Sequence, residues 1–167
     1  SAASDVYKRQ RPYDAVFEMD CDFSHNPDDL LRLTAELEAG ADVAVGSRYS
    51  KGVTVVNWPM SRLLMSYCAS RYVRIVTGMP VCDATAGFVG YKREVLAAID
   101  FDRIEMVGYG FQIEMKYTAW KMGFRIGEVP IIFADRTEGT SKMSGGIFGE
   151  AFFGVLALPF RTIARKK

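Results

Sequence analysis

Asp20 and Asp22 stand one residue apart at the end of an apolar run, in the stretch FEMDCDFSHNP. In an extended chain, side chains two apart point the same way, so both carboxylates can offer oxygens to one hard cation such as Mg2+ or Mn2+. Such ions take one or two protein carboxylates and complete their shell with water and substrate phosphates. A site this sparse therefore implies a phosphate-bearing ligand, whereas the bland reading of the same spacing is a solvated turn.

A second set is cationic. Arg48 and Arg62 can each fork onto phosphate oxygens, and Ser66, one helical turn after Arg62, adds a hydroxyl donor. Arg136, Ser141 and Lys142 put further phosphate-compatible donors in a loop rich in glycine and small polar residues, DRTEGTSKMSGG, which reads as lid-like. Taken singly, each reads more readily as a surface or loop residue. Asp83 reads as a turn or cap residue unless the fold brings it to a pocket, and Gln112 and Glu114 fall near a helix start, where an acid also suits the dipole. His25, the only histidine, follows Ser24 beside a helix cap and reads as structural. No Ser/His/Asp or Cys/His arrangement is available, which argues against nucleophilic acyl chemistry.

The elements that must position these groups alternate between strand and helix. Asp14 to Met19 reads as a buried strand that puts the aspartates at its C-terminal end, where open α/β sheets bind ligands. Asn26 can cap the helix that follows, with Pro27 at its start and a stop near Gly40. Asp42 to Gly46 is a second buried strand, which delivers Arg48 to the same edge if the two strands run parallel. A long helix enters through Pro59 and ends at Gly78, with Leu63, Leu64, Tyr67, Cys68, Ile75 and Val76 as expected core contacts. DATAG, Asp83 to Gly87, is a turn before a short strand (FVGY) and a short helix (KREVLAAI). GYGFQIEMKYTAWKMG reads as a helix, FRIGEVPIIFA as a strand, and Ile147 to about Leu158 as a final apolar helix leading into the basic tail RTIARKK.

At 167 residues and 49% hydrophobic content, the chain has the size and apolar content of one ordinary domain. Lysine plus arginine total 21 against 20 acids, a net charge of +1, so a general nucleic-acid binder is not indicated. Cys21, Cys68 and Cys82 have no paired spacing, which argues against a zinc knuckle or disulfide framework and fits a reducing compartment. Residues 1–10 (SAASDVYKRQ) lack periodicity and resemble a cloning or assembly scar, and are set aside from the fold. Residues 11–146 then form the main unit, and 147–167 an apolar helix and basic tail suited equally to core packing or to an anionic membrane surface.

Taken together and in order, MDCDFSHNPDDL, VGSRY, the W-x3-R-x3-S pattern of Trp58, Arg62 and Ser66, DATAGFVGYKREVL, GYGFQIEM and EVPIIFADRTEGTSK resemble the family 2 glycosyltransferases of the GT-A fold. Within them they resemble the polyprenol-phosphate (dolichol-phosphate) mannosyltransferases. The resemblance implies an α/β, Rossmann-like, mostly parallel sheet flanked by helices. It implies inverting transfer of a hexose, foremost mannose from GDP-mannose, to a polyprenol or dolichyl phosphate at the cytoplasmic face of a membrane, with a membrane-anchoring subunit as a further candidate partner. Asp20 and Asp22 match the DxD that holds Mg2+ or Mn2+ on the donor diphosphate, and Ser24 stands where some relatives carry a ligating glutamine. Arg48, Arg62 and Ser66 match phosphate-holding positions, while Arg136 and Lys142 match a loop that closes over phosphates. No P-x-x-N-E-like strand, which reads base and ribose in relatives, is found ahead of Asp14, so the expectation is an incomplete N-terminus, weak donor binding and slow turnover. A glucosyl or other sugar donor is the nearest alternative. A haloacid-dehalogenase-like phosphatase, suggested by D-C-D-F-S, and a non-catalytic binding fragment are more distant ones.

Overall fold

The computed structural model describes residues 13–135 and 145–166. The leader expected over 1–10 and the loop residues Arg136, Ser141 and Lys142 lie outside the described residues. In chain order the elements are β1 (Ala15–Glu18), α1 (Asp29–Glu38), β2 (Val43–Ser47), β3 (Val55–Val56), α2 (Met60–Thr77), β4 (Val89–Lys92), α3 (Arg93–Ala98), α4 (Tyr109–Lys121), β5 (Ile126–Pro130), β6 (Phe133–Ala134) and α5 (Gly145–Ala157).

The main sheet has the order β1-β4-β2-β5. Both β1 and β2 pair antiparallel with β4, so they point the same way, and β5 runs parallel to β2. Three strands thus share a direction, as expected, but β1 and β2 are not neighbours: β4 lies between them. This topology decides where the chemistry collects. The C-terminal ends of β1, β2 and β5 meet at one edge, and β4 starts from that same edge, so the turn 83–87 that precedes it arrives there too.

Period-two alternation along β2 sorts the core into two layers. Val43 and Val45 pack with Tyr91, Val95, Ile99 and Met115 toward α3 and α4, while Ala44 packs with Leu33, Leu37, Phe88 and Val129 toward α1. Helices therefore cover both faces, the arrangement an α/β layer needs. A third cluster, with Val73, Met79, Ile113, Tyr117 and Val155, joins α2, α4 and α5.

Asn26 caps locally: its Oδ1 accepts the Asp28 N–H at 3.1 Å, one residue ahead of α1. Gly78, with φ of 72°, closes α2 in the left-handed conformation that glycine adopts without penalty. The expected burial of α2 needs correction. Leu64, Tyr67, Cys68 and Ile75 are exposed, Leu63 and Val76 are half-buried, and the face turned inward carries Ser70, Val73 and Thr77. Apolar residues surround this helix, so periodicity cannot choose the inward face, and contact with α5 decides it. The expected single strand at 124–134 is two. After Ile131, Phe133 donates its N–H to Thr54 O at 2.9 Å, and the chain leaves the main sheet to pair with β3.

Candidate active site

A cavity of about 770 Å3 opens at this sheet edge, lined by the end of β1, the turn before β4 and faces of α2, α4 and α5. Its acidic rim comes from the end of β1 and the bend that follows it. Glu18, Asp20 and Asp22 all line it, and a Cβ on Gly87 would lie 3.8 Å from Asp20 Oδ2, so the 83–87 turn passes close over that carboxylate. Phe23 takes a φ of 63°, uncommon for a bulky residue, and this folds the chain back on itself. Ser24 then reaches Asp22, whose Oδ1 accepts the Ser24 N–H at 3.1 Å and the Ser24 hydroxyl. Ser24 is thus engaged in orienting Asp22. Among the described residues no group of three or more His, Cys, Asp or Glu side chains is arranged to hold a metal ion. The donor set is two aspartates on an open rim, which suits a hard divalent ion whose remaining ligands are water and phosphate oxygens.

Behind the rim lies a buried charged network. Arg48 Nε and Nη2 donate to Asp83 at 2.7 and 2.6 Å, its backbone N–H donates to the same carboxylate at 2.9 Å, and Nη2 also donates to Thr85 Oγ1. Burial opposes the Arg48 charge, yet the paired Asp83 outweighs it and holds the guanidinium pKa above its usual value. The fork of Arg48 is therefore directed onto Asp83, and the pair fixes the β2 edge to the turn. Glu128 on β5 accepts the N–H groups of Cys82 and Asp83 at 2.8 and 3.0 Å. Lys116 on α4 is fully buried and donates to Ala86 O at 2.7 Å, and burial pulls its amine down to about 7. These groups hold the 83–87 turn from three sides.

Arg62 is held more loosely. Its Nη1 pairs with Asp135 at 2.6 Å with both side chains more than a quarter exposed, and its guanidinium lies 4.1 Å over the Trp58 ring. Ser66 accepts from the Tyr49 hydroxyl at 2.8 Å. Arg62, Ser66 and Trp58 all face the cavity, on the first turns of α2 or just before it. Gln112 also faces it, 7% exposed, with Oε1 unpartnered. Glu114 does not: it accepts the N–H groups of Glu105 and Met106 at 3.0 and 2.8 Å and sits 3.9 Å from Arg161, and burial pushes its carboxyl up.

Away from the rim the cavity becomes apolar, between Met65, Ala69 and Val73 of α2, Ile113 of α4 and Ala151 and Val155 of α5. Tyr72 and Phe152 stack at 4.7 Å along this arm, and Tyr72 bonds Phe152 O. Sequence reasoning passed over Glu18, which shares the two-residue alternation of the aspartates and was legible from it. It also passed over Lys116 and Glu128, whose roles arise only from long-range packing.

The α/β sheet with helices on both faces is a GT-A-type glycosyltransferase fold, and paired carboxylates stand at its C-terminal edge. The chain belongs to glycosyl transferase family 2, whose family model matches residues 12–100. It is 48% identical over 146 residues to an undecaprenyl-phosphate mannosyltransferase of Micrococcus luteus, covering 87% of this chain and 60% of that protein. It is 47% identical to a polyprenol monophosphomannose synthase of Mycolicibacterium smegmatis, covering 87% and 55%, and 34% identical to a dolichol-phosphate mannosyltransferase of Pyrococcus furiosus, covering 79% and 37%. The chain thus spans about 60% or less of the length of these relatives. Among solved structures, glucosyl-3-phosphoglycerate synthase from Mycobacterium tuberculosis, in complex with Mn2+ and uridine-diphosphate-glucose, matches with a TM-score of 0.57 at 17% identity, covering 89% of this chain and 48% of that one. A further mycobacterial protein matches with a TM-score of 0.60 at 15% identity, covering 88% and 46%. These likenesses are of fold.

Proposed function

We propose that the chain carries residues of a mannosyl transfer site that moves mannose from GDP-mannose to a polyprenyl or dolichyl phosphate with inversion at the anomeric carbon. The observation that carries this reading is the mixed lining of one cavity: the carboxylates of Asp20 and Asp22 with Arg62, and an apolar arm where Val73, Ile113, Ala151 and Val155 cluster. A lipid phosphate has both characters, an anionic head and a hydrocarbon tail, and the curated relatives are named for polyprenyl phosphate acceptors.

Asp20 and Asp22, with Ser24 orienting Asp22, would hold a divalent ion, Mg2+ or Mn2+, on the donor diphosphate. When bound, the ion neutralises charge on the leaving nucleoside diphosphate. Arg62 would exchange Asp135 for an acceptor or donor phosphate, helped by Ser66, while Arg48 keeps the sheet edge rigid through Asp83. An oxygen of the lipid phosphate attacks C1 of the sugar, the bond from C1 to the diphosphate oxygen breaks, and the nucleoside diphosphate leaves. That oxygen is already anionic at neutral pH, so the step needs no strong general base, and orientation and charge neutralisation carry it. Arg136 and Lys142 would add charge over the phosphates. Exposed Phe153 and Phe160, 69% and 90% accessible, support a peripheral seat on the cytoplasmic face of a membrane for the unit 147–167. Among the described residues no helix is long and apolar enough to cross one.

Incubation of the chain with Mn2+, polyprenyl phosphate and a panel of labelled nucleotide sugars tests this. The expected product is polyprenyl-phosphate mannose from GDP-mannose, reduced by about a hundredfold in Arg62→Met. A product formed only from UDP-glucose would move the reading to a glucosyltransferase, and a product insensitive to Arg62→Met would remove that residue's role.

A further inference from the structure

We infer that His25, Trp58 and Gln112 form a hydroxyl-reading subsite that selects a pyranose ring inside the cavity. The inference rests on the transferase reading above and goes beyond it, because none of the three is a phosphate or metal residue.

His25 Nδ1, Trp58 Nε1 and Gln112 Oε1 are buried, and none has a hydrogen-bond partner among the described residues. Buried polar atoms are paired in the great majority of cases, so three orphans lining one cavity point to a ligand that supplies their partners. All three residues line the same cavity, while the buried unpartnered hydroxyls of Ser50 and Ser70 do not. His25 and Gln112 are only 6% and 7% exposed. His25 and Trp58 also lean on one ring: their centroids lie 5.0 and 5.3 Å from Phe133, at 81° and 76° to it. Three elements converge here: the loop after β1, the entry to α2 and the start of α4.

The chemistry of the three atoms narrows the ligand. An indole N–H only donates, a glutamine carbonyl oxygen only accepts, and a neutral imidazole nitrogen does one or the other. Burial lowers the pKa of His25, which keeps the ring neutral at neutral pH. A phosphate oxygen can meet Trp58 but cannot donate to Gln112, and a hydrocarbon chain meets neither. A hydroxyl both donates and accepts, so a polyhydroxylated ring satisfies the whole set in either orientation of the Gln112 amide. Arg62 over the Trp58 ring places the phosphate handle beside it.

The test is a proton–nitrogen correlation spectrum of the full chain, in which Trp58 and Trp120 give the two indole N–H signals and Trp58→Phe assigns them. Titration with free D-mannose is expected to shift the Trp58 signal saturably and leave Trp120 in place. Gln112→Leu and His25→Phe are expected to weaken the apparent affinity about fivefold or more. No shift in the unsubstituted chain, a shift produced by inorganic phosphate but not by mannose, or unchanged affinity in both variants would overturn the subsite. Mannosyl transfer without a mannose-induced shift rejects this inference alone. A saturable shift in a chain that transfers no sugar rejects the transferase reading alone.

Discussion

Arg48 and Arg62 look alike in the sequence and differ in what holds them. Arg48 is buried against Asp83 through two side-chain bonds, and Arg62 meets Asp135 near solvent. Removing one partner of a buried pair leaves an uncompensated charge, so Asp83→Ala is expected to cost about 3–5 kcal/mol, read as a lower urea midpoint with unchanged slope. Lys116 gives a pH dependence. Its folded pKa is depressed from 10.5 to about 7, so between those values the unfolded chain holds a proton that the folded chain does not. Stability therefore rises with pH across that window, and the full cost of charging the buried amine is present below about pH 7. Asp83, Glu18 and Glu128 face the amine and favour its charge, and Arg48 opposes it. Lys116→Met is expected to flatten the rise of the urea midpoint between about pH 7 and pH 10; an unchanged rise would assign it to other groups. The aspartates and arginines were legible because short-range spacing marks them. That Asp83 would face Arg48, 35 positions away, was not, because only the antiparallel insertion of β4 brings them together.

At the scale of elements, local signals and tertiary packing divide the fold between them. The Asn26–Pro27 turn two residues ahead of α1, the Pro59 entry to α2 and the Gly78 and Gly123 stops follow from backbone chemistry within a few residues; the helix starts at Asp29, two residues later than Pro27 suggested. The inward face of α2 and the break between β5 and β6 depend on distant partners, so apolar periodicity alone could not give them. The β1 and β4 pairing has its own requirement. A Cβ on Gly90 would come within 2.4 Å of the Phe17 ring across the ladder, so only glycine fits there without a shift. Gly90→Ala is expected to destabilise by about 1–3 kcal/mol and to loosen β1, the strand that leads into Asp20 and Asp22. Hydrogen exchange confined to faster β1 amides would report that loosening, and unaltered exchange would show that the sheet absorbs the methyl group.

For the molecule as a whole, one cavity joins a carboxylate rim, an arginine near solvent and an apolar arm between three helices, and this combination suits a lipid phosphate meeting a nucleotide sugar. The general plan, a sheet edge that gathers phosphate chemistry, could be read from the order of motifs along the chain. The apolar arm could not, because it is assembled from α2, α4 and α5, whose apolar residues read individually as core. The account stands or falls on whether Asp20 and Asp22 hold a metal against a diphosphate. Electron paramagnetic resonance of Mn2+ with the chain and GDP measures this, through the loss of free-ion signal on binding. Nucleotide-enhanced Mn2+ binding is expected in the unsubstituted chain, and its loss, about tenfold or more in affinity, in the paired Asp20→Ala and Asp22→Ala variant. Equal Mn2+ and GDP binding by the two chains would contradict it.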